Sequence, residues 1–409
     1  MTPITLDAEP ACPAGDGLDH GPDPSAGPRF RAERRPVDAF SREAWDALAG
    51  ANPWATPFSG WAFQRAWWDG YGVNAYDETL AIVPADAPGD GTATPVAIVP
   101  LMHRHEVESS DASTRTRLRG DTDADLTKVA PDATAIFFGA SYHADYATLL
   151  SAPKDLPEVS AAVVDHLASA PSEADPGHPT PWDVVDLRRL RCGDPAAETL
   201  GAAFGAREMT EGWTLNLERE DVCPVVTFPV GASFDDYLGT LDKKARHEIR
   251  RKIRRAEGAG ELRLIQSPNP LEELEAFIDL HQKKWGSDGL FPPTAGGAAS
   301  RVFIRRLFEV CGADGAVRLS FLMVGERRIA AGIHVQTPDT WMYYNAGIDP
   351  DARDLSPGVL LTAQLVRRAL ESGARRFDFL RGDESYKYEW GAVDEPIQRL
   401  LVRRDEATA

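Results

Sequence analysis

Between Ser41 and Leu101 the apolar positions change period twice. Ser41 precedes Trp45 and Leu48 in a pattern that predicts a short capped helix. In Trp61-Ala-Phe-Gln-Arg-Ala-Trp-Trp68 the aromatics recur at helical spacing, so a second helix is expected to turn that stripe to a core. Two strand-like runs follow, Thr79 to Val83 and Pro95 to Leu101, parted by a turn rich in Gly, Asp and Pro. From Glu108 to Asp132 the chain is polar and aperiodic, which predicts a long loop. A strand at Ala133–Phe138, a helix at Val159–Leu167, a strand at Trp182–Leu187, a helix at Ala196–Phe204 and a strand at Trp213–Leu217 complete the first half.

The order then repeats. Ser233 caps a long amphipathic helix expected from Phe234 to about Glu257, with Leu238, Leu241, Ala245, Ile249 and Ile253 on one face. A strand at Glu261–Ile265 and helices at Leu271–Trp285 and Ala299–Cys311 follow. A hairpin, Val317–Val324 and Arg328–Gln336, turns at Gly325-Glu326, and a third strand runs Thr340–Ala346. The helix Pro357–Ser372 ends at Gly373, where a left-handed residue is expected. Strands at Arg376–Leu380 and Gln398–Arg403 close the pattern. Both halves read β-β-β-α-β at their centres. The expected fold class is therefore α/β (α+β), with two tandem domains, each a mixed, mostly antiparallel sheet flanked by helices.

Composition sets the outer limits. Residues 1–28 hold five acids and no Lys or Arg among many Pro and Gly, which predicts a disordered tail. Order begins near Val37, so the expected division is a tail at 1–35, a first domain at 36–221 and a second at 222–409. No apolar run is long enough to span a membrane and no signal peptide is evident, so a cytoplasmic location is expected. The net charge of −19 disfavours nucleic acid as a partner of the whole surface. Only 8 of the 44 basic residues are Lys. The four Cys are widely spaced, with no C-x-x-C pair, and no metal site is expected.

One set of segments follows in order through the second half: Ser233-Phe-x-x-Tyr237, Lys244-x-Arg246, Leu280-His-Gln-Lys-Lys-Trp285, Tyr344-Asn-Ala-Gly-Ile-Asp-Pro350, Leu355-Ser-Pro-Gly358, and Asp378-Phe-Leu-Arg-Gly-Asp-Glu-Ser-Tyr-Lys387 with Trp390. In this order and spacing the half resembles the GNAT-type acyltransferases grouped with cellulose-biosynthesis (CelD/BcsL-like) proteins, which are related to the Fem-type aminoacyl transferases. The resemblance implies two GNAT domains, an acyl thioester such as acetyl-coenzyme A as co-substrate, and acyl transfer to an amine or hydroxyl. The acceptor expected is a saccharide or another small polar molecule, in polysaccharide or cell-envelope biosynthesis.

That chemistry needs a pyrophosphate site, a polarised thioester carbonyl and a route for protons. Arg353-Asp-Leu-Ser-Pro-Gly-Val359 suits the first: Ser356 stands at an N-cap, Pro357 fits the first helical turn, and Gly358 and Val359 follow. The family pattern Arg/Gln-x-x-Gly-x-Gly/Ala is met by Arg353 without the full glycine pair. Backbone amides around Asn345, Gly347 and Ile348 are candidates for the carbonyl, with Gly347 expected at a bulge. Asp383 or Glu384 is a candidate base, Tyr386 a candidate acid for the leaving thiolate, Lys387 a candidate cation for a developing anion or an anionic substrate, and His334 a candidate base on its strand. His281, Trp285, Tyr344, Asp378, Arg381 and Trp390 complete the set expected around the substrate. The basic run at 243–255 is either a solvated helix face or a contact for a phosphorylated acceptor, a membrane surface or tRNA. Two further readings stand beside the leading one: a Fem-like aminoacyl-tRNA-dependent transferase, and a non-catalytic binding protein on a GNAT fold.

Overall fold

The computed structural model describes residues 27–105, 126–175, 177–312 and 315–404. The strands of the first half are Phe30–Arg34 (β1), Tyr76–Asp77 (β2), Leu80–Pro84 (β3), Ala97–Val99 (β4), Leu101–Arg104 (β5), Ala135–Phe138 (β6), Leu150–Ser151 (β7) and Val184–Arg191 (β8). Trp213–Thr227 (β9) leads into the second half, which adds Leu262–Gln266 (β10), Val317–Val324 (β11), Arg327–Gln336 (β12), Thr340–Ile348 (β13), Arg376–Asp378 (β14) and Val393–Arg404 (β15). β1-β3-β4-β7 form a small sheet. The remaining strands form one large sheet in the order β10-β11-β12-β13-β14-β9-β15-β8-β6-β5-β2. Its neighbours are antiparallel except at β6/β8 and β13/β14, and helices pack on its faces. The mixed, mostly antiparallel α/β class expected from the pattern is the class observed.

Two strands join the halves by exchange. β9, the last strand of the first half, pairs with β14 of the second through Val225–Thr227. β15, the last strand of the second half, pairs with β8 of the first. β9 and β15 also pair with each other from Val393↔Val225 to Arg404↔Trp213. The sequence explains their interior place. Ile397–Val402 is buried on both faces, as is Glu220–Val226 in β9, and a strand covered on both sides loses the alternation that marks a half-exposed one. The boundary expected at residues 221 and 222 falls inside β9.

One ion pair fixes the exchange. Arg399 on β15 is buried and donates from Nε and Nη2 to the two oxygens of Asp186 on β8, at 2.8 Å each. Its Nη1 reaches the Thr127 carbonyl at 2.8 Å and Glu218 Oε2 at 3.2 Å. Burial pushes the Asp186 carboxyl upward, but Arg188 and Arg399 more than offset this and hold it below its ordinary range.

The structure departs from the sequence pattern at several places. The single helix expected over 234–257 is two, Phe234–Thr240 and Lys243–Ala259, because Leu241 is extended and Asp242 caps a new helix through the Lys244 amide. The strand expected at Arg376–Leu380 stops at Asp378, since Leu380 takes a left-handed φ of 58°. Phe30–Arg34 pairs with β3, so order starts before Val37. Residues 1–26 of the expected tail and 108–125 of the expected loop lie outside the described residues.

Replacing Arg399 by Met leaves Asp186 buried without its bidentate partner, and is expected to cost about 3–5 kcal/mol in urea unfolding. The sign with pH follows from the depressed Asp186. Its contribution is complete above the unfolded carboxylate value of about 3.9 and is lost as pH falls through the lower folded value. The gap between wild type and Arg399→Met must therefore narrow in acid.

Candidate active site

β13 and β14 run parallel for only three pairs, Thr340↔Arg376, Trp341↔Phe377 and Met342↔Asp378. Beyond them the strands part. β13 continues to Ile348 beside β12, whereas the chain after β14 bends to β9, where the Phe379 amide donates to the Pro224 carbonyl and the Gly382 amide to that of Val222. Asp378 holds the bend. Its Oδ1 accepts from the Leu380 amide and its Oδ2 from the Tyr146 hydroxyl, both at 2.7 Å. Burial pushes this carboxyl up to about 6. The result is a V-shaped opening between Tyr343–Ile348 and Phe379–Tyr388. On β13 the register shifts opposite Ile333/His334, so Tyr344 is the extra residue of a bulge.

At one end of the opening, the helix Pro357–Glu371 presents its N-terminus to a cavity of about 400 Å³. Ile348, Arg353, Ser356, Gly358 and Val359 line it, together with Asp349, Pro350, Pro357 and Lys252. Ser356 occupies the N-cap position in a left-handed conformation (φ 60°, ψ 56°), and its side chain does not cap the helix. The amides of Gly358 and Val359 thus stand without a side-chain cap at the positive end of the helix dipole. A Cβ on Gly358 would lie 3.1 Å from Ile348 Cδ1, so the glycine keeps the mouth open. Arg327 neutralises Asp349 at 2.7 Å, while Arg353 and Lys252 form no ion pair with described residues.

The segment after β14 carries the candidate acid–base groups. Lys387 is buried, and its Nζ donates to the carbonyls of Leu380, Arg381 and Gly382 at 2.8–2.9 Å and meets Glu384 at 2.9 Å. Its ammonium is thereby committed to holding the bend and orienting Glu384, which corrects the expectation of a lysine open to an anion. Glu384 and Asp383 are half-buried. Tyr386 is partly exposed, leans on the Phe379 ring, and has its hydroxyl pKa pushed up by burial. Within electrostatic reach of Glu384, Lys284 of the Pro270–Trp285 helix is water-accessible but set among protein atoms. Burial pushes its ammonium down to about 8, against the opposing pull of Glu384. It lies 4.1 Å from the centre of the Trp285 ring, and Trp285 donates to the Ala346 carbonyl of β13.

Other expected residues are placed differently. Gly347 pairs regularly with Ala331 rather than forming the bulge; its Cβ would meet the His281 amide nitrogen at 2.4 Å, so close helix packing requires it. Asn345 is half-buried on β13, opposite Ile333. His334 is buried, stacked on Trp341 at 4.9 Å and bonded to Gln336, and burial pushes its pKa down to about 3; a neutral core imidazole replaces the expected cleft base. His281 is likewise buried among Phe277, Trp285 and Phe291, its pKa pushed to about 4. Trp390 is buried, and its carbonyl accepts from Tyr237. Three groups not expected from the pattern come from the first half. The His143 carbonyl accepts from Tyr344, Asp145 pairs with Arg381 at 3.3 Å, and Tyr146 binds Asp378.

The first half has its own parallel pair, β6/β8, but the segment Gly139–Tyr146 folds into the space beside it and Ala147 rejoins β8 by a bridge to Leu190. A cavity of about 10 Å³, room for one water, lies between this segment, Gln64 and Pro100.

Residues 243–388 match the family model of the acetyltransferase (GNAT) domain. That span contains the opening, the cavity and the acid–base segment. No curated protein matches the sequence significantly. The structure superposes on the crystal structure of FemX with a TM-score of 0.54 at 10% identity, over 88% of this chain and 96% of that one. A C-terminal domain (DUF2156) of a putative lysylphosphatidylglycerol synthetase from Agrobacterium fabrum gives 0.47 at 11% identity, covering 89% and 91%. A tandem GNAT protein from the clavulanic acid biosynthesis pathway gives 0.44 at 10%, covering 91% and 98%. At these identities the likeness is one of fold. The chain carries a GNAT acetyltransferase domain and is an acyltransferase.

Two outcomes are expected. Lys387→Met strands three carbonyls and Glu384, at a cost of about 1–3 kcal/mol. Hydrogen exchange at 379–390 should accelerate, which loss of a purely chemical lysine would not cause. The second concerns acid. His281 and His334 bind protons only when unfolded between their folded values, about 4 and about 3, and the unfolded value near 6.5. Their contribution is complete above pH ~6.5 and is lost as pH falls towards their folded values. Urea midpoints should decline steadily below that point, and a flat profile from neutral to acid pH would contradict the assignment.

Proposed function

We propose that the protein is an acyl-coenzyme-A-dependent N- or O-acyltransferase acting on a saccharide or another small polar acceptor. One observation carries the reading: a parallel strand pair opens beside a helix N-terminus whose first-turn amides are uncapped and face a ligand-sized cavity. Uncapped amides with Arg353 and Lys252 suit a pyrophosphate, and Ile348, Pro357 and Val359 suit the aliphatic part of a pantetheine arm. The thioester then lies along the opening, where the bulged strand at Tyr344–Ile348 offers backbone amides to its carbonyl.

The acceptor nitrogen or oxygen attacks that carbonyl and the C–S bond breaks. Glu384, set by Lys387, takes the acceptor proton, and Tyr386 returns a proton to the thiolate. Lys284 and Trp285 flank the acceptor side. The segments that resemble cellulose-biosynthesis acyltransferases support a role in polysaccharide or cell-envelope chemistry at the cytoplasmic side. A second reading, transfer from aminoacyl-tRNA, draws on the likeness to the FemX fold and on the basic helix. It is less favoured, because no aromatic side chain lines the cavity to stack a terminal base.

Acetyl-coenzyme A should raise the melting temperature of the wild type, and Gly358→Leu, which fills the mouth against Ile348, should abolish the shift. With a working acceptor, Glu384→Gln should lower kcat by about 10²–10⁴ while leaving the donor KM near wild type. Absence of a shift with every acyl-coenzyme A tried would favour a non-catalytic binding role.

A further inference from the structure

The donor cavity has a second wall. Lys252 reaches it from the Lys243–Ala259 helix, which carries eight Lys and Arg against two Glu in a chain of net charge −19. Three of the cations are engaged: Arg246 with the Gly239 carbonyl, Arg250 with Asp235 and Arg251 with Glu248. Lys243, Lys244, Lys252, Arg254 and Arg255 form no ion pair with described residues, although 63 acids are present against 44 bases. At helical spacing Lys244, Arg251, Lys252 and Arg255 fall on one side, with Glu248 among them paired to Arg251. From Lys244 to Arg255 the stripe runs roughly 16 Å at 1.5 Å per residue, and it opens into the cavity at Lys252. One pyrophosphate cannot occupy such a length.

We propose that this stripe docks an acidic carrier protein whose phosphopantetheine arm enters the cavity past Lys252, so that the acyl group arrives protein-bound. The inference rests on the donor reading above and names the form of the donor. The chemistry is unchanged. The acyl C–S bond of the arm breaks, the new C–N or C–O bond forms, and the acceptor's proton ends on the pantetheine sulfur.

Other polyanionic surfaces fit less well. Ile249, Ile253 and Ala256, the apolar face of the helix, are packed into the core, so no apolar side remains to enter a membrane. Neither the cavity lining nor the helix carries a Phe, Tyr or Trp side chain on which a nucleic acid could stack its bases, and His247 is the helix's one ring. An acidic helical face meets this net-positive side, on which four cations face one Glu, by charge complementarity alone.

The test uses the full chain, a labelled fatty-acid-type acyl carrier protein bearing acetyl-phosphopantetheine, and acetyl-coenzyme A. Binding of each is measured at low and high salt. Lys244→Glu/Arg251→Glu/Arg255→Glu should weaken carrier binding by about tenfold or more and leave acetyl-coenzyme A within about twofold. Gly358→Leu should impair both. If the triple variant melts early, Lys244→Gln/Arg255→Gln is used, with the same direction expected. The proposal fails if the wild type binds acetyl-coenzyme A but not the carrier, if the triple variant weakens both alike, or if tRNA binds more tightly than the carrier and loses binding in the variant. Binding of neither donor form would instead remove the donor reading and this inference with it.

Discussion

The structure depends on the pairing of β9 with β15. These two strands lie side by side at the middle of the large sheet, and each has its other edge on the opposite half of the chain. The bidentate contact of Arg399 with Asp186 lies in this seam, among strands covered on both faces. A charged pair so buried gains little over a well-packed apolar pair, but breaking it is expensive, so it enforces one register. The bend after β14 leans on the same seam, since Phe379 and Gly382 bond to β9. The opening between β13 and β14 therefore exists because β9 draws the second strand away from the first.

The two halves use one architectural unit differently. In the second, the parallel pair opens beside a cavity of about 400 Å³ at a helix N-terminus. In the first, the corresponding space is occupied by Gly139–Tyr146, and that segment gives contacts to Tyr344, Arg381 and Asp378. The first half thus serves as a wall and a brace for the opening of the second. Lys387 acts in the same spirit within its own segment, as a cation spent on backbone carbonyls so that Glu384 keeps its place.

Much of the fold was legible in the periodicity. The hairpin β11–β12, strand β13 and the helix from Pro357 all lie where alternation, Gly325 and Gly373 put them. Ile348, Arg353, Ser356, Gly358 and Val359 do converge on one cavity, because they are close in sequence around a single helix start. What the pattern hid was partner choice. Alternation marks a strand but not its neighbour, so the exchange of β9 and β15 was invisible. Helical period gives a polar face but not what lies opposite, so it does not show Lys252 as a wall of the cavity. A glycine in a strand signals close approach without naming the visitor, and at Gly347 the visitor is the backbone of the Pro270–Trp285 helix. His334 looked reactive because charge and burial cannot be read from residue type alone.

The seam also has a consequence in time. Asp186 and Arg399 are 213 residues apart in sequence. During synthesis β8 leaves the ribosome long before the strand that covers its edge, and the nascent first half waits with an unpaired sheet margin. Contacts so distant along the chain make for slow folding and a long exposure to aggregation. Such a chain completes its first half only when nearly all of the second has been made, and a chaperone that shields strand edges would have its greatest effect in that interval.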